Sequence, residues 1–270
     1  PEVEVTRQSF AQRIAGAVVT DVRLGKPLRW PLGVDPASLR AQVVGDVSRR
    51  GKYILITTHV GSLLIHLGMS GSLRVVSPQT PPKLHDHIDI KLTGDHWLRF
   101  NDPRRFGSFH FQPGDAHEHW LLKDLGVEPL ENEFSGDYLF NSSRRRKVAV
   151  KNHIMDGKIV VGVGNIYAAE SLFMAKIRPA TAAQRVSRLA YENLAQAIRM
   201  ILAGAIKVGG TTLRDFVGSD GQPGYFSQSL NVYGREGQPC RECSSTLKGQ
   251  ILGQRSTVYC PSCQTFSGWR

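Results

Sequence analysis

Cys240, Cys243, Cys260 and Cys263 are the only cysteines in the chain, and their C-x2-C-x16-C-x2-C spacing carries the most definite chemistry in it. Two residues between thiols let one tight turn offer both sulfurs to a single tetrahedral ion. Paired knuckles about 15–20 residues apart are the signature of a four-thiolate zinc site. The sixteen residues from Ser244 to Tyr259 suffice for a short β-hairpin that returns the chain to the metal. Two disulfides are the rival reading, and they require an oxidising compartment. Four sulfurs leave zinc no open position, so one structural Zn²⁺ is expected and a zinc hydrolase is excluded. Gln254-Arg255 falls at the tip of the hairpin. It is either a surface arginine or a metal-braced cation aimed at a phosphate or a minor groove.

Other clusters carry charge or recognition chemistry. Arg49-Arg50-Gly51-Lys52 precedes the apolar run at Tyr53, as the solvated end of a strand or as a positive group where a loop enters a sheet. His85-Asp86-His87-Ile88-Asp89 sets His85, His87 and Asp89 on one strand face, a partial metal set or a donor to phosphate. Asp102-Pro103-Arg104-Arg105-Phe106-Gly107 reads as a turn bearing two guanidinium groups and a ring. Such a turn ends a strand, and it is also what a protein needs to occupy the space of a missing base. Arg144 to Lys147, followed by Lys151, is a basic run entering a helix, suited to phosphate contact or to solvation. Val161-Gly162-Val163-Gly164-Asn165-Ile166 joins an apolar run to a helix N-terminus, where amides and Asn165 can hold a phosphate. The strand–turn–helix unit of a dinucleotide fingerprint is missing.

The elements that must position these groups fall into two textures. Val3 to Ile14 predicts a leading helix, and short β-branched runs follow to about Gln112: Ala17–Leu24, Tyr53–Thr58, Ser62–His66, Ser72–Val76, His87–Leu92 and Trp97–Asn101. Beyond Glu128-Pro129 the pattern turns helical, ending in Ser187–Val208 with Leu194, Ile198, Ile201, Leu202 and Ala205 facing inward. The fold class is α+β. The boundaries expected are a β-sandwich over 1–127, a helical domain over 128–217, a loop and linker over 218–231, and a zinc finger over 232–270. Charge narrows the partner: 34 Lys+Arg against 23 Asp+Glu give +11. Four thiolates and one Zn²⁺ would leave about +9, so a polyanion is expected. No window approaches 18 consecutive apolar residues, so a membrane is not the partner.

These segments together resemble the bacterial formamidopyrimidine-DNA glycosylases. The likeness is carried by PEVEVTR, RRGKYILI, IHLGMSGSLR, HDHID, NDPRRFGSF, GVGNIYAAESLF, GGTTLRDF, SDGQPGYFSQSLNVYGREGQPC and QRSTVYC, in that order along nearly the whole chain. The resemblance implies a sandwich with a leading helix, a helix–two-turn–helix domain and a zinc-finger hairpin, with duplex DNA in a basic cleft. It implies a monomeric, cytoplasmic, nucleoid-associated base-excision repair enzyme that removes 8-oxoguanine and formamidopyrimidines and nicks the abasic site by β,δ-elimination. By resemblance Pro1, Glu2, Lys52 and Arg255 are catalytic, and His85, Arg104, Arg146, Lys151 and Asn165 contact DNA. Glu170 matches an acid near the active site. Met69, Arg104 and Phe106 match the residues that fill the void left by a flipped base, and Gly218–Phe226 matches the loop that closes on it. Those last two features look like the purine-lesion branch rather than the related endonuclease VIII branch, which prefers oxidised pyrimidines.

The opening departs from the family pattern. Relatives begin P-E-L-P-E-V-E, whereas this chain begins Pro1-Glu2-Val3-Glu4, which aligns with the second Pro-Glu. Three residues are therefore expected to precede Pro1 in the natural protein, and Pro1-Glu2 match the catalytic pair by local similarity. Three residues are about 10 Å of extended chain. The chemistry explains a leading proline. A secondary α-amine with a pKa near 8 is partly neutral at pH 7. It can attack the sugar C1′, expel the base and leave an iminium whose acidified neighbour undergoes elimination, with the glutamate moving protons. A non-catalytic zinc-ribbon binder explains the charge and the cysteines, but not the Met69–Arg104–Phe106 set or the glycine-rich loop.

Overall fold

The computed structural model describes residues 1–210 and 230–265, so Gly218–Phe226 lies outside the described residues. The described residues fall into two compact units, Pro1–Lys123 with 208–210, and Asp124–Lys207 with 230–265.

The first unit opens with helix α1 (Glu2–Ile14), whose acidic first turn and Arg13 in the last suit the helix dipole. Thr6, Phe10 and Ile14, four apart, form its buried stripe. Two four-stranded antiparallel sheets follow. One has the order β1 (Val19–Leu24), β6 (Asp86–Leu92), β7 (His96–Asn101), β5 (Ser72–Val76); the other runs β2 (Val47–Arg50), β3 (Tyr53–Thr58), β4 (Gly61–His66), β8 (Ser108–Pro113). Phe10 and Ile14 join Ile54, Ile56, Leu63 and Ile65 of one sheet and Ile88, Ile90, Leu98 and Phe100 of the other in one core. Alternating strand residues supply it, each fully buried aliphatic contributing about 1.5–3 kcal/mol.

Strand β2 was not expected from the sequence. Val47 is the only apolar residue of β2, which is held by its pairing with β3 rather than by a pattern of its own. Arg49 and Arg50 thus lie within a strand, paired with Ile54 and Tyr53, and not in an entering loop. Strand β8 begins just beyond the Asp102–Gly107 turn and pairs with β4 from His66↔Ser108 to Gly61↔Pro113.

The second unit carries α2 (Gly136–Ser143), α3 (Val150–Met155), α4 (Asn165–Met174), α5 (Arg188–Lys207) and the hairpin β9 (Lys248–Leu252)–β10 (Arg255–Tyr259). Leu194, Ile198, Ile201, Leu202 and Ala205 of α5 are all buried, as their spacing predicts. Ala169 and Phe173 of α4 share a core with Val232, Leu247, Val258, Cys240 and Cys260. The cysteine module is thereby packed onto the helices rather than tethered beside them.

Candidate nucleic-acid interface and metal centre

In the first unit, the Arg50↔Tyr53 pair leaves Gly51-Lys52 as a two-residue turn with Lys52 exposed at its tip. Arg49 braces the turn, donating to the Gly51 carbonyl at 2.9 Å and to Glu4 at 3.1 Å. Arg7 also binds Glu4, at 2.7 Å, and reaches the Val47 carbonyl at 2.9 Å, fastening α1 to β2. The Pro1 amine sits 3.8 Å from the Glu2 carboxylate. Burial holds that amine below its ordinary 8.0 against the pull of Glu2, and the Arg49 and Lys52 charges lower it further.

His66, which sequence reasoning missed, belongs to the same cluster. It pairs with Tyr53 across the ladder, with ring centroids 4.9 Å apart. Burial and then the Lys52 charge lower its pKa to about 4, with Asp102 opposing. Its Nδ1 accepts from the Gly68 amide at 3.0 Å, so the neutral ring links the Lys52 strand to the next turn. A signal was present: a polar residue ends the Leu63-Leu64-Ile65 run just before Gly68-Met69.

That turn and the Asp102–Gly107 turn carry the three void-filling candidates. Met69 is 59% exposed and Phe106 50% exposed, and the Arg104 guanidinium lies 5.0 Å from the Phe106 ring centroid. Two large apolar groups are thus left in water beside a guanidinium. Buried Asp102 organises both turns, accepting from Ser70 Oγ at 2.7 Å, the Arg104 amide at 3.2 Å and the Gly107 amide at 2.7 Å. A Cβ on Gly68, whose φ is +66°, would meet the Gly107 nitrogen at 2.6 Å, so the two backbones touch. His85 is half-buried just before β6, and its carbonyl accepts from the Asp102 amide at 3.0 Å.

His85, His87 and Asp89 do not form a metal set. Strand β6 begins at Asp86 and its register shifts between Asp86 and Ile88. The His87 ring nitrogens lie 2.8 Å from the Lys26 carbonyl and 2.9 Å from the Asp102 carbonyl. Asp89 is buried and paired with Arg99 at 2.7 Å and Arg23 at 2.6 Å.

In the second unit the basic run divides. Arg144 is spent on structure, donating to the Phe140 and Val186 carbonyls at 3.0 and 3.2 Å and covering the Phe140 ring. Arg145, Arg146 and Lys147 are exposed. Lys151 is fully buried, and its ammonium is taken up by the zinc hairpin, donating to Thr257 Oγ1 at 2.6 Å and the Ser256 carbonyl at 3.1 Å. Burial and the Arg255 charge lower its pKa to about 8. Asn165 Nδ2 donates to the same Ser256 carbonyl at 3.1 Å. Both residues thus set the strand that begins with Arg255. Helix α4 starts behind Gly164 with no side-chain cap.

The hairpin turn is Gly253-Gln254, with φ of 54° and 61°, between the paired Leu252 and Arg255. Two positive φ values match the right-handed twist of the strands, and glycine adopts the first without strain. Arg255 is exposed beside that turn. Glu170, by contrast, is buried and engaged. It accepts from the amides of Asn231, Val232 and Tyr233 at 2.8, 2.9 and 2.9 Å.

The four cysteine sulfurs lie within 4.8 Å of one another, with Cys243–Cys260 at 3.5 Å and Cys240–Cys263 at 3.9 Å. A disulfide needs about 2.05 Å, whereas a tetrahedron of Zn–S bonds about 2.3 Å long has edges of roughly 3.8 Å. The geometry therefore fits one four-sulfur zinc ion and not two disulfides. Cys240, Cys243, Cys260 and Cys263 would hold it, and closed coordination makes its contribution structural. Gln264 locks the second knuckle, accepting from the Cys260 amide at 2.8 Å and donating to the Ile177 carbonyl at 2.9 Å. Among the described residues no helix is long and apolar enough to cross a membrane.

Two units that carry exposed cations on hairpin turns, a Met–Arg–Phe wedge and a four-thiolate module define a zinc-finger protein of the nucleic-acid-binding class. Comparison with known proteins narrows this. Residues 1–109 match the formamidopyrimidine-DNA glycosylase N-terminal domain, 125–217 its H2TH domain, and 237–265 the zinc finger found in FPG and IleRS. Proteins named formamidopyrimidine-DNA glycosylase from Alcanivorax borkumensis and Hahella chejuensis are 56% and 54% identical over 265 and 266 residues, with 98% of each chain covered. Among solved structures, the MutM (Fpg) protein of Thermus thermophilus is similar at TM-score 0.87 and 34% identity. Wild-type Lactococcus lactis Fpg in complex with DNA containing N7-benzyl-Fapy-dG is similar at TM-score 0.89 and 30% identity. Each covers 98% of both chains. The chain belongs to the formamidopyrimidine-DNA glycosylase family.

Proposed function

We propose that this protein is a base-excision repair glycosylase that removes oxidised purines from duplex DNA and cuts the resulting abasic site by β,δ-elimination. The observation that supports the reading is the exposed Lys52 on a turn braced by Arg49 and Glu4, in a chain whose likeness to the family covers 98% of its length. In the reaction a neutral proline amine attacks C1′ of the damaged nucleotide, the C1′–N bond to the base breaks, and the base leaves with a proton. The C1′–O4′ bond of the sugar then opens, with a proton delivered to O4′, and the iminium this leaves acidifies the C2′ proton. Its removal expels the 3′ phosphate, a second elimination expels the 5′ phosphate, and water then frees the amine. Glu2 moves protons and stabilises the cationic sugar, while Lys52 holds the phosphate beside the lesion. Base flipping precedes all of this, because C1′ chemistry on a stacked base has no room for the amine.

The DNA contacts divide by chemistry. Arg146 and Arg255 are exposed cations suited to phosphates, with His85 as a further contact; Arg255 also suits proton donation in elimination. Lys151 and Asn165 act on the DNA through the position they give to Arg255. Met69, Arg104 and Phe106 fill the stack opposite an orphaned cytosine, so 8-oxoguanine should leave faster opposite cytosine than opposite adenine. L. lactis Fpg complexes with DNA containing Fapy-dG and abasic sites support the purine-lesion reading. The test is borohydride trapping on 8-oxoguanine duplex, using the chain beginning at Pro1 and one preceded by Pro-Glu-Leu. A covalent complex from either, abolished by acetylating the terminal amine, is the expected result. No complex from both chains would overturn the reading.

A further inference from the structure

The exposed Met69–Arg104–Phe106 set comes from two turns far apart in sequence, and a wedge is useful only if those turns move as one. Asp102 is fully buried, yet its carboxylate touches no cation among its hydrogen-bond partners. One oxygen accepts from Ser70 Oγ of the first turn and from the Arg104 amide of the second; the other accepts from the Gly107 amide. Ser70 Oγ in turn accepts from the Arg104 amide at 3.3 Å. The Asp102 carbonyl is held by the buried His87 ring, and the Asp102 amide by the His85 carbonyl. Gly68 and Gly107 meet backbone to backbone beneath. Burying a carboxylate without a paired charge costs several kcal/mol unless its lone pairs are filled, and here that cost is met by bonds that all define the two turns.

We propose that Ser70 and Asp102 form a latch that fixes the Met69 turn to the Arg104–Phe106 turn, making them positioning residues for void filling and for selectivity toward the base opposite the lesion. The latch rests on the functional reading above. A preformed wedge enters the stack without the entropic cost of ordering two loops, and that gain exists only where there is an orphaned base to face. A single-stranded abasic site offers none.

The test is Ser70→Ala, with Ser70→Thr as the conservative variant that keeps the hydroxyl. Single-turnover excision is measured on 8-oxoguanine opposite cytosine and opposite adenine, alongside borohydride trapping on a single-stranded abasic oligonucleotide. The duplex-to-single-strand rate ratio should fall about three- to tenfold in Ser70→Ala, the worth of one hydrogen bond, and recover in Ser70→Thr. The cytosine-over-adenine preference should shrink with it, while the melting temperature falls by a few degrees as Asp102 loses one donor, with the assay run well below the midpoint. A Ser70→Ala protein with the parent's ratio and preference would overturn the latch while leaving the glycosylase reading intact. Failure of both the chain beginning at Pro1 and the one preceded by Pro-Glu-Leu to trap on either substrate would overturn that reading, and the latch with it.

Discussion

Replacing Glu170 by glutamine separates a structural clamp from an acid that does chemistry. The carboxylate is 3% exposed and takes four donors: the Val232 and Tyr233 amides on one oxygen, the Asn231 amide and side chain on the other. In the glutamine variant one oxygen becomes an NH₂ facing backbone N–H groups, which leaves at least one buried amide unpaired. The surviving bonds lose their charged acceptor. Hydrogen bonds to a charged group contribute about 1.5–3 kcal/mol and an orphaned donor costs about 1–3, so roughly 3 kcal/mol of stability should be lost. At about 2–4 °C per kcal/mol, the unit containing α4 and the cysteine module should melt roughly 6–12 °C lower by calorimetry. Zinc should pass to a chromogenic chelator sooner as the 231–233 segment loosens. Excision assayed well below the new midpoint should stay within a few-fold of the parent. A glutamine variant that melts like the parent but no longer excises would refute the clamp and make Glu170 a participant in the chemistry.

Three further outcomes follow from the same geometry. Cys243→Ser should lose the metal and weaken DNA binding while the first unit stays folded. Arg255→Ala should flatten the slope of log affinity against log salt by about one unit, and an unchanged slope would place Arg255 away from the phosphates. His66 and His153 both have pKa values lowered to about 4, mainly by burial, so the folded protein holds them neutral while the unfolded chain takes up protons below about 6.5. Stability should therefore be full above pH 6.5 and decline as pH falls toward 4, and a His153→Asn variant whose pH profile matches the parent's would remove His153 from that account.

The metal centre was legible because its chemistry is local: thiol spacing fixes a tetrahedron, and the sulfurs converge as the spacing predicts. The α5 stripe was legible for the same reason, its period being its own. Strand β2 was not, because its stabilisation is in the partner strand and only Val47 faces the core. Side-chain destinations were harder still. Lys151 stands in a basic run that reads as solvated or phosphate-bound, yet its ammonium is consumed by a hairpin more than a hundred residues later in the chain. Glu170 reads as an acid near chemistry, and its donors are backbone amides sixty-odd residues away. His66 ends the Leu63-Leu64-Ile65 run as a polar residue, but its nearness to Lys52 comes from pairing with Tyr53, which its neighbours do not state. Composition and period report on elements; long-range hydrogen bonds decide what a polar side chain is for.

The same device is used for the main cation of each unit. Lys52 and Arg255 both sit at or beside a two-residue turn, where the flanking ladder fixes the backbone to within a strand register. A long cationic side chain carries about 2 kcal/mol of rotamer entropy, and a loop would add the freedom of its own backbone. A closed hairpin removes the second contribution before any phosphate arrives, leaving only the first to be lost on binding. Neither turn is left to its ladder alone. Arg49 and Glu4 hold the Lys52 turn from α1, while Lys151, Asn165 and the four sulfurs hold the Arg255 hairpin from the helices. The Arg49–Glu4 and Lys151–Thr257 braces are polar and buried or half-buried, so a one-residue register slip would strand their donors at a cost. Zinc is accordingly one support of Arg255 among several. Loss of the metal should loosen the knuckles first and reach Arg255 only after Lys151 and Asn165 let go of Ser256.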